Sequence, residues 1–431
     1  MKTRLLNSAS FIPTAAFRSV PGALPEFGGT RAMRRRCKVG VQNGATAAPK
    51  YTQADNDKAQ ALVLAVARPM IQPTMAQTIT GNNAAQGQTI TFNLNNVGLQ
   101  TKITVEVQGT LTAAGAETLT RTPWGLANIF SQVVLTDLSN IQRINTTGLH
   151  LYALSTLRGR NAFGATFLND APVQMGSNFL VNDGPNAINA GSGATAFRMF
   201  FELPLAYHEN DLRGAIYSNV TNAQWRLQLT VNPNFFAGSG ATDTLFNCYK
   251  STAAVPASTL SAFQVQIYQH YLDQLPRGQN NQPIVPLFSL SWNYLIISTV
   301  STGMVATQDF PVQYANFRTF LSTIAIFDNG GTFNAGSDVN YVAIQVANQT
   351  YLEKLDPFMS TLQTRRMIGD DYPPGTYVMD HRRWPIVTDQ FGNTQFVLNA
   401  STVNASANLQ MMYEMLSIQN QAINAGSLAA G

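Results

Sequence analysis

The sequence predicts an all-β protein: two β-sandwich domains in tandem, behind a basic N-terminal arm and one helix. Three observations lead there. Apolar and polar residues alternate with period two in stretch after stretch beyond residue 80, which gives each strand one buried and one wet face. Turn residues divide these runs at sandwich-like spacing. A linker by composition, DQLPRGQNNQPIVP (Asp273–Pro286), separates two halves that each hold several strands.

Residues 1–50 show no sustained periodicity and many Gly, Pro, Ala and Arg, so they read as an irregular arm. A helix is expected within 51–70. Asp55 and Asp57 sit at its positive end, Arg68 lies in its last turn, and Pro69 ends it. Its second half, Ala61–Ala67, is apolar all round and calls for burial on its own domain or for a greasy partner. The first sandwich is expected over 71–275. In it Ile90, Phe92 and Leu94 alternate with Thr89, Thr91 and Asn93. Ile103, Val105 and Val107 alternate with Lys102, Thr104 and Glu106 in the same way. Trp225, Leu227, Leu229 and Val231, then Phe263, Val265 and Ile267, repeat the pattern. After a linker at 276–286, the second sandwich spans 287–431. Strands are expected around Trp292–Thr299, Phe317–Phe327, Val339–Val346, Thr376–Asp380, Gln395–Leu398 and Leu409–Met415, with one short helix near Tyr351–Met367. Jelly rolls are one such sandwich; periodicity alone does not separate them from others. The apolar run Pro283–Gln308 is long enough to span a bilayer, but its two prolines, Asn293 and many Ser and Thr make it strand, turn, strand.

Only 12% of the 431 residues are charged, about half the usual share. Asn, Gln, Ser and Thr supply the polar surface instead, which suits a molecule whose flanks are covered by neighbours. The charge is uneven. Residues 1–50 hold nine Lys and Arg against Glu26, a net +8; the rest holds 18 basic and 22 acidic residues, a net −4. A basic arm can meet anionic lipid or nucleic acid, or be a solvated tail or a leader ahead of Met33. It lacks the apolar core of a secretory signal. Two cysteines, Cys37 and Cys248, allow one bridge at most and point to free thiols in a reducing compartment.

No catalytic motif survives inspection. FDNGGTFNAGSD (Phe327–Asp338) has the glycines of a phosphate loop but not its lysine, since Ser337 and Asp338 follow Gly336. Asp328–Gly331 reads as a turn between strands. Gly369-Asp370-Asp371 reads as a polar loop, and Asp380-His381-Arg382-Arg383 as a salt-bridged surface turn. The four histidines, His150, His208, His270 and His381, lie too far apart in sequence to form a metal pair. Neither cysteine stands in a catalytic signature, so no enzyme and no cofactor is expected.

Several long stretches resemble one family. LPLAYHENDLRGAIYSNV (Leu203–Val220), YQHYLDQLPRGQNN (Tyr268–Asn281), VQYANFRTFLSTIAIFDNGGTFNAGSDVNY (Val312–Tyr341) and LDPFMSTLQTRRMI (Leu355–Ile368) are similar to the double jelly-roll major capsid protein of tectiviruses. YPPGTYVMDHRRWPI and QFGNTQFVLNASTVN continue the match to the C-terminus. Over residues 70–200 only strand pattern and ANIFSQVVLTD match, and residues 1–50 extend beyond the usual start.

The resemblance implies two tandem eight-stranded jelly rolls, with the N-terminal helix on the inner side and a short helix in the second roll. It implies a pseudo-hexagonal homotrimer that tiles an icosahedral shell over the internal membrane of a double-stranded DNA phage. The partners are then copies of itself, penton and minor capsid or membrane proteins, and the internal lipid membrane through the N-terminal segment. No direct nucleic-acid contact is expected, because lipid stands between shell and genome. The protein would reside in the virion shell and be made in the host bacterial cytoplasm. The candidate membrane-facing residues are Arg34, Arg35, Arg36, Lys38, Lys58, Leu62, Leu64 and Arg68. The Phe327–Asp338 stretch becomes a hairpin turn of the second roll. The competing reading is a β-sandwich receptor- or sugar-binding spike module, against which the lack of a dense Asp cluster weighs. A jelly-roll metalloenzyme is opposed by the scattered histidines.

Overall fold

The computed structural model describes residues 53–418, apart from 75, 160–184, 209, 221–222, 243, 279–280, 287–291, 331–337, 348–349, 369–371 and 389–392. The alternating runs form strands that pair into two sandwiches. In the first, the main strands are β1 (Arg68–Pro73, continued by Gln77–Ile79), β2 (Thr89–Asn93), β3 (Leu99–Thr112) and β4 (Phe130–Thr136). They are followed by β5 (Gln142–Thr146), β6 (Ala194–Pro204), β7 (Arg226–Val231) and β8 (Thr259–Asp273). In the second they are β9 (Trp292–Thr302), β10 (Asp309–Gln313), β11 (Thr319–Asp328) and β12 (Val339–Val346). The remaining four are β13 (Thr350–Leu355), β14 (Thr376–Asp380, continued by Ile386–Val387), β15 (Thr394–Ala400) and β16 (Asn408–Ile418).

The wiring is the same twice. The first sandwich faces β1-β8-β3-β6 against β2-β7-β4-β5, and the second faces β9-β16-β11-β14 against β10-β15-β12-β13. Each is an eight-stranded jelly roll, and the chain is a double jelly roll. The two are fused edge to edge. β5 and β9 pair in parallel, Ile144 opposite Ile296 and Asn145 opposite Ile297, so one sheet of each roll merges into a continuous sheet across the molecule.

The period-two faces pack as their chemistry requires. Ile103, Val105 and Val107 of β3 and Trp225, Leu227, Leu229 and Val231 around β7 fill the first core. Phe320, Ile344, Phe396, Met411 and Tyr413 fill the second. Glu106 departs from the wet face expected for it. β3 runs between β8 and β6, and side chains from both close over Glu106, which is buried, accepting from Tyr268 Oη of β8 at 2.8 Å and pairing with Arg198 of β6.

Among the described residues there are three α-helices: α1 (Gln53–Val66), α2 (Gly148–Gly159) and α3 (Pro357–Ile368). The expected helix at Tyr351–Met367 begins six residues late. Tyr351–Leu355 is strand, paired with β12, and Asp356 caps the helix by accepting from the Met359 amide at 2.7 Å with Pro357 behind it. α1 ends at Val66, so Arg68 opens a strand and does not lie in the last helical turn. The turn at Phe327–Asp338 is no hairpin. β11 and β12 lie in opposite sheets, and the segment crosses from one to the other. Residues 331–337 fall outside the described residues, but its ends are tied. Asn329 donates to Asp338 Oδ2 at 3.0 Å and accepts from the Asn404 amide at 2.7 Å.

α2 wedges between the rolls and covers the outer face of the second roll's half of the long sheet. Leu321, Ile324, Ile326, Met412 and Leu416 therefore belong to the core cluster of the first roll, and every residue of β11 is buried. At the end of α2, Arg158 reaches across the junction to the fully buried Glu414 of β16 at 3.1 Å. Glu414 also accepts from Tyr294 Oη at 2.6 Å and Ser322 Oγ at 2.5 Å. Arg158 donates to the Tyr207 carbonyl at 2.6 Å and stacks 5.0 Å from the Tyr294 ring centre. Arg382, the third residue of the expected surface turn, is instead part of this junction. It forks onto Asp380 at 2.8 and 2.7 Å and donates to the Leu157 carbonyl at 3.3 Å. Burial alone would lower the Arg158 pKa, but the neighbouring Tyr294 and Glu414 raise it above the usual arginine value.

Two predictions follow from the junction. Arg158→Met strands the Glu414 carboxylate without its counter-charge, so it should cost about 3–5 kcal/mol; a lower denaturant midpoint checks it, and adding Glu414→Gln should recover part of the loss. His150 of α2 is buried and faces Ser298 of β9, whose Oγ lies 3.0 Å from Nδ1. Burial pulls its pKa from 6.5 down to about 3. An unfolded chain takes up that proton first, so stability should fall as pH drops from about 6.5 towards 3. Thermal midpoints across this range should decline, and His150→Gln should flatten the decline.

Candidate assembly surfaces

The strand registers define a common lower end of the two rolls. Arg68 pairs with Asp273, Leu272 with Leu99, and Lys102 with Pro204 in the first roll. In the second, Trp292 pairs with Ile418 and Thr319 with Leu416 and Val387. The parallel β5–β9 pairing sets both rolls the same way up. The chain's apolar helix joins at this end.

α1 is docked rather than free. Val63 and Ala67 are buried in the first core, and Leu64 packs partly against it. Gln60 clamps the helix to the loop after β6, accepting from the Leu212 amide at 2.9 Å and donating to the Asn210 carbonyl at 3.0 Å. The opposite side of the helix stays open: Leu62 is 41% exposed and Val66 55%. Lys58 and Arg68 are exposed, without a carboxylate partner among the described residues. Of the sequence candidates, then, Lys58 and Leu62 lie one helical turn apart on the exposed side of α1, Arg68 is exposed at the start of β1, and Leu64 packs partly against the core. Arg34, Arg35, Arg36 and Lys38 lie outside the described residues. Sequence reasoning passed over Val66, which lies one helical turn beyond Leu62. It also passed over Phe317 and Trp384, single apolar residues with no periodic run to mark them. Both are exposed, at 77% and 55%.

The polar motifs prove structural. Gly369–Asp371 lies outside the described residues. Among the described residues no group of three His, Cys, Asp or Glu side chains could hold a metal ion. Cys248 is a buried free thiol whose pKa burial pushes well up. No described helix is long and apolar enough to cross a membrane.

The comparisons with known proteins agree with this architecture. The N-terminal model of the P3 major capsid protein matches residues 42–275, and its C-terminal model matches 291–430. The major capsid protein P3 of Enterobacteria phage PRD1 is 38% identical over 385 residues, covering 88% of this chain and 95% of that protein. The chain belongs to the P3 major capsid protein family. It is a structural capsid protein, not an enzyme, and self-assembly into the shell of a virion is its role. Among solved structures, the Sulfolobus Turreted Icosahedral Virus shell has a similar chain at TM-score 0.57, 12% identical over 84% of this chain and 95% of that one. A chain of the PBCV-1 virus capsid model scores 0.52 at 12% identity, over 86% and 96%. At such identities the likeness is one of fold, and the fold is the double jelly roll. The spike-module reading is not favoured.

The Gln60 clamp gives a prediction. Gln60→Leu removes both loop contacts while leaving Val63 in place. Limited proteolysis should then cut within 53–66 severalfold faster, with the melting of the two rolls little changed.

Proposed function

We propose that the chain forms homotrimers, pseudo-hexagonal bricks of six jelly rolls, that tile an icosahedral shell over the internal membrane of a double-stranded DNA phage. The lower end faces inward. The N-terminal arm and α1 hold it to the lipid, with Arg34, Arg35, Arg36, Lys38, Lys58, Leu62 and Arg68 as contacting residues. Leu64 supports the helix from within.

The observation behind this reading is the composition of the lower end. The exposed side of α1 offers aliphatic Leu62 and Val66 beside exposed cations, and the sequence ahead of it carries a net +8. Each Lys or Arg close to an anionic leaflet contributes about 1 kcal/mol. Repeated over the many copies of a shell, that attraction fixes lipid beneath it. Nucleic acid is not contacted directly, because the membrane intervenes. Penton, minor capsid and membrane proteins complete the set of partners, and synthesis takes place in the host bacterial cytoplasm.

Trimer contacts are of the obligate kind, about 2,000 Å² or more and apolar. Contacts between trimers are smaller, so that misplaced bricks can leave. Light scattering after gel filtration should therefore give three times the 46.8 kDa chain mass, unchanged on dilution. A clean monomer would overturn the brick. The trimer should also float with anionic vesicles and lose most of that binding when salt screens the arm.

A further inference from the structure

The turn between β10 and β11 holds Phe317 in a left-handed backbone conformation. Its φ is +58°, a region costly for a bulky side chain, and its ring is 77% exposed. The turn is fixed on both sides. The Arg318 amide donates to Thr388 Oγ1 at 3.1 Å, the Thr388 amide donates back to the Arg318 carbonyl at 3.1 Å, and Thr388 Oγ1 donates to the Ala315 carbonyl at 2.9 Å. A strained backbone thus presents an aromatic ring to the outside, where no described part of this chain covers it.

Its position narrows the partner. Phe317 precedes Thr319, which pairs with Leu416 and Val387 at the lower end. Arg318 beside it hydrogen-bonds Ser417 and has no carboxylate partner among the described residues. Leu62, Val66, Lys58 and Arg68 stand at the same end. An aromatic ring, aliphatic side chains and unpaired cations on one end match a headgroup–acyl boundary. A protein–protein interface core is instead depleted in charge.

We propose that Phe317 is an interfacial anchor, inserting its ring into an anionic lipid surface while Arg318 meets the headgroups. This gives the second jelly roll its own lipid contact, separate from the arm and α1 on the first. It rests on the inward-facing lower end proposed above.

The test uses full-length trimers and vesicles of phosphatidylglycerol with phosphatidylcholine, in ~1 M salt, where the screening length is about 3 Å and the arm's attraction is suppressed. Phe317→Gly relieves the strained φ and removes the ring. It should melt higher than the parent yet partition about tenfold more weakly. Phe317→Trp should retain partitioning and gain fluorescence that is quenched by doxyl-labelled lipid. Equal partitioning of parent and glycine variant, with no quenching of the tryptophan variant, overturns the anchor and leaves the inward-facing end standing. Loss of the trimer in the glycine variant without vesicles makes the ring a protein contact and also overturns it. If the parent itself ignores anionic vesicles even in low salt, the membrane-facing reading fails with it.

Discussion

Everything in this molecule hangs on the parallel pairing of β5 with β9. Two jelly rolls joined only by a linker could take any relative orientation. Here Ile144 and Asn145 sit opposite Ile296 and Ile297, and the two sandwiches share one continuous sheet. A shared sheet fixes direction as well as distance, so both rolls have the same lower end. α2 follows directly from β5 and fills the angle between the rolls. The Arg158–Glu414 pair then closes over the seam in a setting dry enough that neither partner is spared the cost of losing the other. Close approach is enforced in the backbone too. A Cβ at Gly214, where φ is +84°, would sit 2.5 Å from Tyr294 Cβ across the junction.

Much of the fold was legible because period-two alternation reports a sheet with one dry face. Ile90, Phe92 and Leu94, and Trp225, Leu227, Leu229 and Val231, stood out for that reason, and all are buried. What alternation hides is any strand buried on both faces. β11 reads as a plain apolar run because α2 covers its outer side, and the sequence of β11 alone gives no sign of which element does so. α2 itself was missed. Leu149, Leu151, Tyr152, Leu154 and Leu157 surround it with apolar contact, so no amphipathic stripe appears. Its one local signal was Thr147, whose hydroxyl accepts from the His150 amide at 3.3 Å as a cap. The Phe327–Asp338 glycines announced a turn, but turn chemistry does not tell a hairpin from a crossing between sheets.

The surface was less legible than the core. Charge in the arm and the greasy half of α1 could be read directly, since both are properties of a contiguous segment. Leu64 could not be told from Leu62 until the docking of α1 chose which side faced in. Phe317 could not be found at all from sequence, because its meaning lies in a positive φ and in its place at the end of a strand. Arg382 misled for the opposite reason. Its neighbours in sequence are polar, but Leu157 and Tyr207 close around it from the other roll.

If the two rolls are one welded body, amide hydrogen exchange across the seam should say so directly. The backbone amides of Arg143–Thr146 and Leu295–Ile297 should be as protected as those of the sheet interiors in β3 and β16. Exchange at these amides at loop-like rates, while both sandwiches stay protected, would mean that the rolls hinge freely and would contradict the shared lower end.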